Sequence, residues 1–309
     1  MLLACTTDSG IRGRRLRGMT ARASRISSDI PHDTGFVEIG DRCWVARHEL
    51  VDVNVGLVAG HRGVVVIDTH SSATAARGVL EHVRALGAGD VVAVVNTHAH
   101  WDHVLGNGVF TEAYDGLRIV AHEDVAATLR DRASEVLAAA AQHTDVTGTT
   151  VVVPDQTFSS VKVVDLGDRI VEVVHAGRGH TSGDAVVRVA AADVLYAGDL
   201  VEESGMPGYG ADCFPLDWPV TLDLVTGMLG AGSVVVPGHG QPVDRDFVMD
   251  QRASIGVVAE LVRELATSGV RPDDMPGRGE WPYPAEDLRH AFARGYAQLP
   301  RSSRSLPLL

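Results

Sequence analysis

The 309-residue chain is poor in cysteine, lysine and aromatic residues, and each shortage narrows what it can be. Its three cysteines, Cys5, Cys43 and Cys213, are odd in number, far apart and form no C-x-x-C pair. That pattern indicates neither a disulfide framework nor a thiolate zinc knuckle. Lysine occurs once, at Lys162, against 26 arginines, a bias that reads as GC-rich coding rather than function. No apolar run of roughly 18 residues is free of charge or glycine, so nothing reads as a membrane span. What remains is 45% hydrophobic and 22% charged, the composition of an ordinary soluble protein with enough apolar residues for a large core.

Charge is negative overall and unevenly placed. The net value is −13, yet six arginines and one acid, Asp8, stand in the first 28 residues, leaving −18 for the rest. So acidic a body repels phosphate backbones, which argues against nucleic acid as a partner. Residues 1–29 read as a disordered basic leader, and 30–309 as one domain with a core over 36–240 and a C-terminal helical extension over 241–309. The start Met1-Leu-Leu-Ala-Cys5 lacks the charged n-region and apolar stretch of a secretory signal, so the expected location is the cytoplasm.

Short β-rich runs, Phe36–Ile39, Cys43–Ala46, Asn54–Val58 and Val64–Asp68, are separated by turn residues. A helix follows over Ser71–Leu86, with a serine cap and Gly87 as its stop. Val91–Asn96 is a continuous apolar run, as in a strand buried on both faces. Ala-rich 123–142 predicts a second helix, and strands follow at 162–165, 170–175, 185–189, 194–197 and 233–236. Helices are predicted over 217–229, 247–267 and 285–298. Strand groups with helices in both halves predict an α/β architecture of two packed sheets with helices outside.

Directly after the Val91–Asn96 run stands His98-Ala-His100-Trp-Asp102-His103, three imidazoles and a carboxylate in six residues. These groups bind zinc without needing redox chemistry. His98 and His100, two apart on extended chain, project to one side, and a turn beyond them can aim Asp102 and His103 at a second point. Taken alone, such a cluster suits a structural site or a charged surface loop as well as a catalytic centre. Three further segments favour the last: His180 in Gly179-His180-Thr181-Ser182-Gly183-Asp184, Asp199 in Ala197-Gly198-Asp199, and His239 in Pro237-Gly238-His239-Gly240. Each is a lone histidine or aspartate after an apolar run, flanked by glycine that permits tight turns.

This ordered set, with Asp68 ending Val64-Val-Val-Ile-Asp68, resembles the metallo-β-lactamase superfamily of metal hydrolases from about Phe36 to Gly240. The resemblance implies a four-layered αββα sandwich with two central mixed sheets and outer helices. It implies that His98, His100 and His180 bind one metal, that Asp102, His103 and His239 bind a second, and that Asp199 bridges them. Two zinc ions are expected, with iron or manganese as the other metals the set admits. Asp68 is then expected to orient the histidine loop rather than ligate. The implied chemistry is attack by a metal-bridging hydroxide on a small ester, thioester, lactone or amide, with Asp102 handling the proton.

His98 to Asn107 is similar to the corresponding stretch of glyoxalase II, but that family's basic C-terminal pattern does not follow His239. The Tyr that a homoserine lactonase places after its bridging Asp is absent from Leu200-Val-Glu-Glu203, and genuine β-lactamases generally lack the bridging Asp. Alternatives are a mononuclear iron persulfide dioxygenase on the same scaffold, and a non-catalytic binding protein. Substrate contacts are expected from Trp101, Tyr209, Phe214 and Trp218. Cys213 is a weak candidate ligand beside a full His/Asp set, and Ser182 has no nucleophile motif around it. The oligomeric state is not legible.

Overall fold

Valine runs set the framework, because β-branched side chains suit a pleated surface that is buried on both faces. In the computed structural model, which describes residues 29–300, twelve strands form two mixed sheets. The expected leader, up to residue 28, lies outside the described residues, as do residues 301–309. The first sheet runs in chain order through β1 (Val37–Gly40), β2 (Cys43–Arg47), β3 (Asn54–Gly60), β4 (Gly63–Ile67), β5 (Val91–Val95), β6 (Arg118–His122) and β7 (Gln156–Phe158). It is antiparallel up to β4 and parallel beyond. The second contains β8 (Val161–Asp165), β9 (Ile170–Val174), β10 (Val186–Val189), β11 (Val194–Glu202) and β12 (Val234–His239). Only β11 and β12 pair in parallel there.

Three apolar layers join four structural ones. Between the sheets, Val58, Val65, Ile67 and Val95 meet Val173, Val187, Tyr196 and Val236. Outside the first sheet lies α1 (Ala73–Leu86), whose Ala76, Val79, Leu80 and Val83 share one face and pack on Leu57, Val66 and Val94. Ser72 caps α1 by accepting from the Ala75 amide at 3.2 Å, and Gly87 ends it at φ 65°. Outside the second sheet lie α6 (Trp218–Gly227), α7 (Arg245–Thr267) and α8 (Arg289–Gln298), which place Trp218, Leu222, Ile255, Val258, Val262 and Phe292 against Leu195 and Val235. Each such buried aliphatic contributes roughly 1.5–3 kcal/mol, so both sheets are clamped on both faces. The C-terminal helices thus form part of this outer layer.

Several elements differ from these local expectations; β12, expected over 233–236, runs on to His239. The helix expected over 123–142 is broken at Arg132 (φ −127°, ψ 25°) into α4 (Glu123–Asp131) and α5 (Ala133–Ala140). The strand expected over 194–197 continues to Glu202, with register shifts on either side of Gly198. The last helix starts at Arg289 rather than Ala285. Strands β6 and β7, and the short helices α2 (Trp101–Val104) and α3 (Asn107–Ala113), had no clear sequence signal. No helix among the described residues is long and apolar enough to cross a membrane.

Candidate metal centre

Five imidazoles and two carboxylates meet beyond the end of β5, at the end of β12 and beside the irregular part of β11. His98 and His100 leave the end of β5, and one turn of α2 turns Asp102 and His103 back toward them. His180 comes from the loop between β9 and β10, Asp199 from the irregular part of β11, and His239 from the last residue of β12. The irregularity has a local cause. Gly198 sits at φ 52°, and a Cβ there would lie 2.7 Å from the Thr97 side chain, so only glycine lets β11 swing Asp199 inward.

Three ligand-sized groups occur among the described residues, two built from these seven side chains and a third in which Glu202 joins Asp199 and His239. His98, His100, His180 and Asp199 have ligand atoms within 4.8 Å of one another, as do Asp102, His103 and His239. Asp199 spans both: its Oδ2 lies 3.6 Å from His98 Nε2, 3.3 Å from His180 Nε2 and 3.2 Å from His239 Nε2, and its Oδ1 lies 3.2 Å from His103 Nε2. Asp102 Oδ2 lies 3.4 Å from His239 Nε2 and 3.6 Å from His103 Nε2.

Each ring is held from behind by an acceptor outside the cluster. His103 Nδ1 is 2.9 Å from Asp68 Oδ2, and His100 Nε2 is 3.1 Å from Asp212 Oδ2. His180 Nδ1 is 2.7 Å from the Gly208 carbonyl, and His239 Nδ1 is 2.7 Å from that of Val51. Thr97 donates its one hydroxyl proton to Asp68 at 2.7 Å, so it accepts from His98 Nδ1 at 3.0 Å. These acceptors require N–H on the outer nitrogens, which leaves lone pairs on the inner ones. The inner nitrogens of His100 and His180 are then only 2.8 Å apart, and those of His103 and His239 3.4 Å. Two lone pairs that close repel unless a proton or a cation lies between them.

Charge points the same way. Burial opposes the charged form of His239, but Asp199 and Asp102 outweigh it and carry the ring up to about 10. The same contest raises His103 well above the ordinary imidazole range. His98 and His180, where burial wins, are lowered, His180 to about 4. The acidic side of the cluster therefore demands positive charge, which protons supply when no metal does. His98 Nε2 and Asp199 Oδ1 are buried without a hydrogen-bond partner, and burying such atoms is costly unless a ligand satisfies them. The residues fit divalent cations.

Other expected residues fall elsewhere. Asp68 stands behind the cluster, bound to Thr97 and His103. Trp101 is half-buried and stacks on His143 at 5.2 Å. Tyr209 and Trp218 are packed into the core of the second sheet, so they are not open pocket walls, although Trp218 backs the His180 ring at 5.8 Å. Phe214 alone of the four aromatics lines a cavity beside the cluster. Cys213 is fully buried in the same core, its thiol pushed up to about 12 by burial, and joins no ligand group. Thr97, Asp212 and Glu202 also belong to the site, although none stands in a ligand motif of the sequence. Glu202 is buried beside Asp199 and His239, is pushed up to about 7 by burial, and accepts from Ser204 Oγ at 2.6 Å. Its signal in the sequence was its place three residues after Asp199; the structure then sets it opposite His239 in the pairing of β11 with β12. Asp212 gave no local signal.

Residues 48–247 match the family profile of the metallo-β-lactamase superfamily. A metallo-β-lactamase type 2 from Bacillus cereus is 25% identical over 255 residues, which cover 76% of this chain and 92% of that protein. Among solved structures, the inverting sec-alkylsulfatase Pisa1 from Pseudomonas sp. superposes with a TM-score of 0.71 at 17% identity, over 84% of this chain. The overlap spans about half of the alkylsulfatase, 50% of its chain. A metallo-β-lactamase from Pontibacter korlensis superposes at 0.59 with 22% identity, over 72% of this chain and 98% of that one. These structural likenesses show the fold, and the profile match across two-thirds of the residues shows the family: the chain belongs to the metallo-β-lactamase superfamily.

Proposed function

We propose that the chain is a two-metal hydrolase, with zinc the metal, acting on a small ester, thioester, lactone or amide. The observation that carries this reading is the orientation of all five imidazoles by outside acceptors, which turns their lone pairs onto two adjacent points spanned by Asp199. His98, His100 and His180 would hold one metal, Asp102, His103 and His239 the other, and Asp199 would contribute to both. Metals bound there supply Lewis-acid polarisation of a carbonyl-type bond and lower the pKa of water toward ~7. Asp68 and Asp212 fix ring direction and tautomer through His103 and His100. Asp102, at the edge of the second group, accepts the proton released when water attacks. The substrate is a small molecule, since a body of net charge −18 outside its first 28 residues repels nucleic acid.

A β-lactam is the second reading, favoured by the Bacillus cereus relative. It is itself an amide, so one assay covers both. Zinc-loaded protein is given thioesters, lactones, β-lactams, aryl esters, alkyl sulfates and phosphodiesters. His98→Ala and Asp199→Ala are each expected to lower kcat/KM on the accepted class by about 10³-fold, roughly 4 kcal/mol. Turnover that survives both substitutions overturns the site.

A further inference from the structure

A cavity of about 260 Å³ opens beside the first ligand group. Thr181, next to His180, forms part of its wall, and Asp212, the partner of His100, forms another. The wall thus includes chain neighbours of His98, His100 and His180, namely Ala99 and Thr181. The remaining wall carries Phe214, Asp124 and two guanidinium groups, Arg132 from the break between α4 and α5 and Arg294 from α8.

The two cations are committed to different degrees. Arg132 pairs with Glu135 on the exposed side, a contact that contributes little in water. Arg294 is half-buried, donates Nε to the Cys213 carbonyl at 2.9 Å, and lies 4.9 Å from the centre of the Phe214 ring. It has no carboxylate partner among the described residues. The same ring is approached at 4.3 Å by Arg178, whose charge Asp217 compensates at 2.6 Å. Of the two acids in the wall, Asp212 is engaged with His100, and Asp124 lies in the first turn of α4, where the helix dipole favours it. Arg294 is thus the guanidinium of this wall without a carboxylate partner among the described residues, and planar oxyanions match its fork two-point.

We propose that this cavity is the substrate subsite and that Arg294, with Arg132, binds a carboxylate on the substrate remote from the bond that is cleaved. Phe214 covers the hydrocarbon between the two. This rests on the hydrolase reading and names its substrate class: a small anionic ester, thioester or amide. The volume, slightly under the ~300–1,000 Å³ typical of drug-sized ligands, suits a metabolite rather than a peptide.

The test compares mono-4-nitrophenyl succinate with 4-nitrophenyl butyrate on zinc-loaded protein. Arg294→Gln is expected to lower the succinate-to-butyrate ratio of kcat/KM at least tenfold, through KM, and Arg132→Gln to lower it less. Arg294→Lys, which keeps the charge but not the fork, recovers part of the ratio. An unchanged ratio, or an equal loss on both esters, overturns the subsite. Calorimetric titration with succinate, neutral succinamide and inorganic sulfate makes the test independent of turnover. Succinate binding at least tenfold weaker in Arg294→Gln, at unchanged zinc content, supports the subsite even if neither ester is hydrolysed, in which case the hydrolase reading fails alone. Equal succinate binding by the wild type and Arg294→Gln overturns it, and sulfate bound more tightly than succinate overturns the carboxylate assignment.

Discussion

Replacing Asp68 by asparagine tests whether the metal ligands are set from behind. The carboxylate is buried and accepts three hydrogen bonds, from Thr97 N at 2.8 Å, Thr97 Oγ1 at 2.7 Å and His103 Nδ1 at 2.9 Å. An amide of the same shape has one acceptor oxygen and one donor group. With its NH₂ toward His103, it donates to Nδ1, moves the ring proton to Nε2 and removes the lone pair aimed at the second metal. With its NH₂ toward the Thr97 amide, two donors face each other in a buried site. Either arrangement loses at least one charge-assisted bond, worth about 1.5–3 kcal/mol. Expressed in metal binding, that is a fall of about 10–100-fold at the His103 site. The first site, linked to Asp68 only through Thr97 and His98, falls less. Zinc titration of the metal-free protein against a chromophoric chelator resolves the two sites. Affinities within twofold of wild type at both would refute the orienting role.

Two further perturbations separate backbone and charge effects. A Cβ on Gly238 would stand 1.8 Å from Asp199 Oδ1, so Gly238→Ala is expected to displace the shared carboxylate and reduce zinc content while circular dichroism stays native; full zinc content would show that Asp199 is not held there. His70 is buried, and burial, with the charges of His48 and His103, lowers it to about 3. Its folded value lies below the unfolded one near 6.5, so below that pH the unfolded chain takes up a proton that the folded chain refuses. Stability is therefore lost as pH falls from about 6.5 toward 3, by roughly 2 kcal/mol on going to pH 5. His70→Asn, chosen because φ is 73° and asparagine tolerates that region, is expected to flatten the denaturation midpoint of metal-free protein between pH 7 and 5. Parallel pH profiles for the two proteins would reject the assignment.

How much of this was legible depends on the range of the contacts. Ser72 and Gly87 mark the ends of α1 by local chemistry, and both act as caps. The break at Arg132 was hidden because Ala-rich chain on both sides contains neither glycine nor proline. Strand β7 has three residues, too few for a periodic pattern. The ligand types were readable because each follows an apolar run beside glycine, but their support was not. Asp212 meets His100 across 112 positions, and the acceptors for His180 and His239 are backbone carbonyls, which any residue carries. Aromatic residues in the 203–219 segment showed where bulk lies and not which way it faces. Tyr209 and Trp218 turn into the core, whereas Phe214 turns to the cavity.

The central claim is two metals in one shared cage, and metal stoichiometry tests it most directly. Elemental analysis of the purified protein, repeated after chelation and reloading, should give two zinc ions per chain. His239→Ala should retain one and Asp199→Ala should weaken both, each with a native thermal transition. A single iron per chain, unchanged by His239→Ala and accompanied by thiol-dependent oxygen uptake, would contradict the account and identify a mononuclear oxygenase instead.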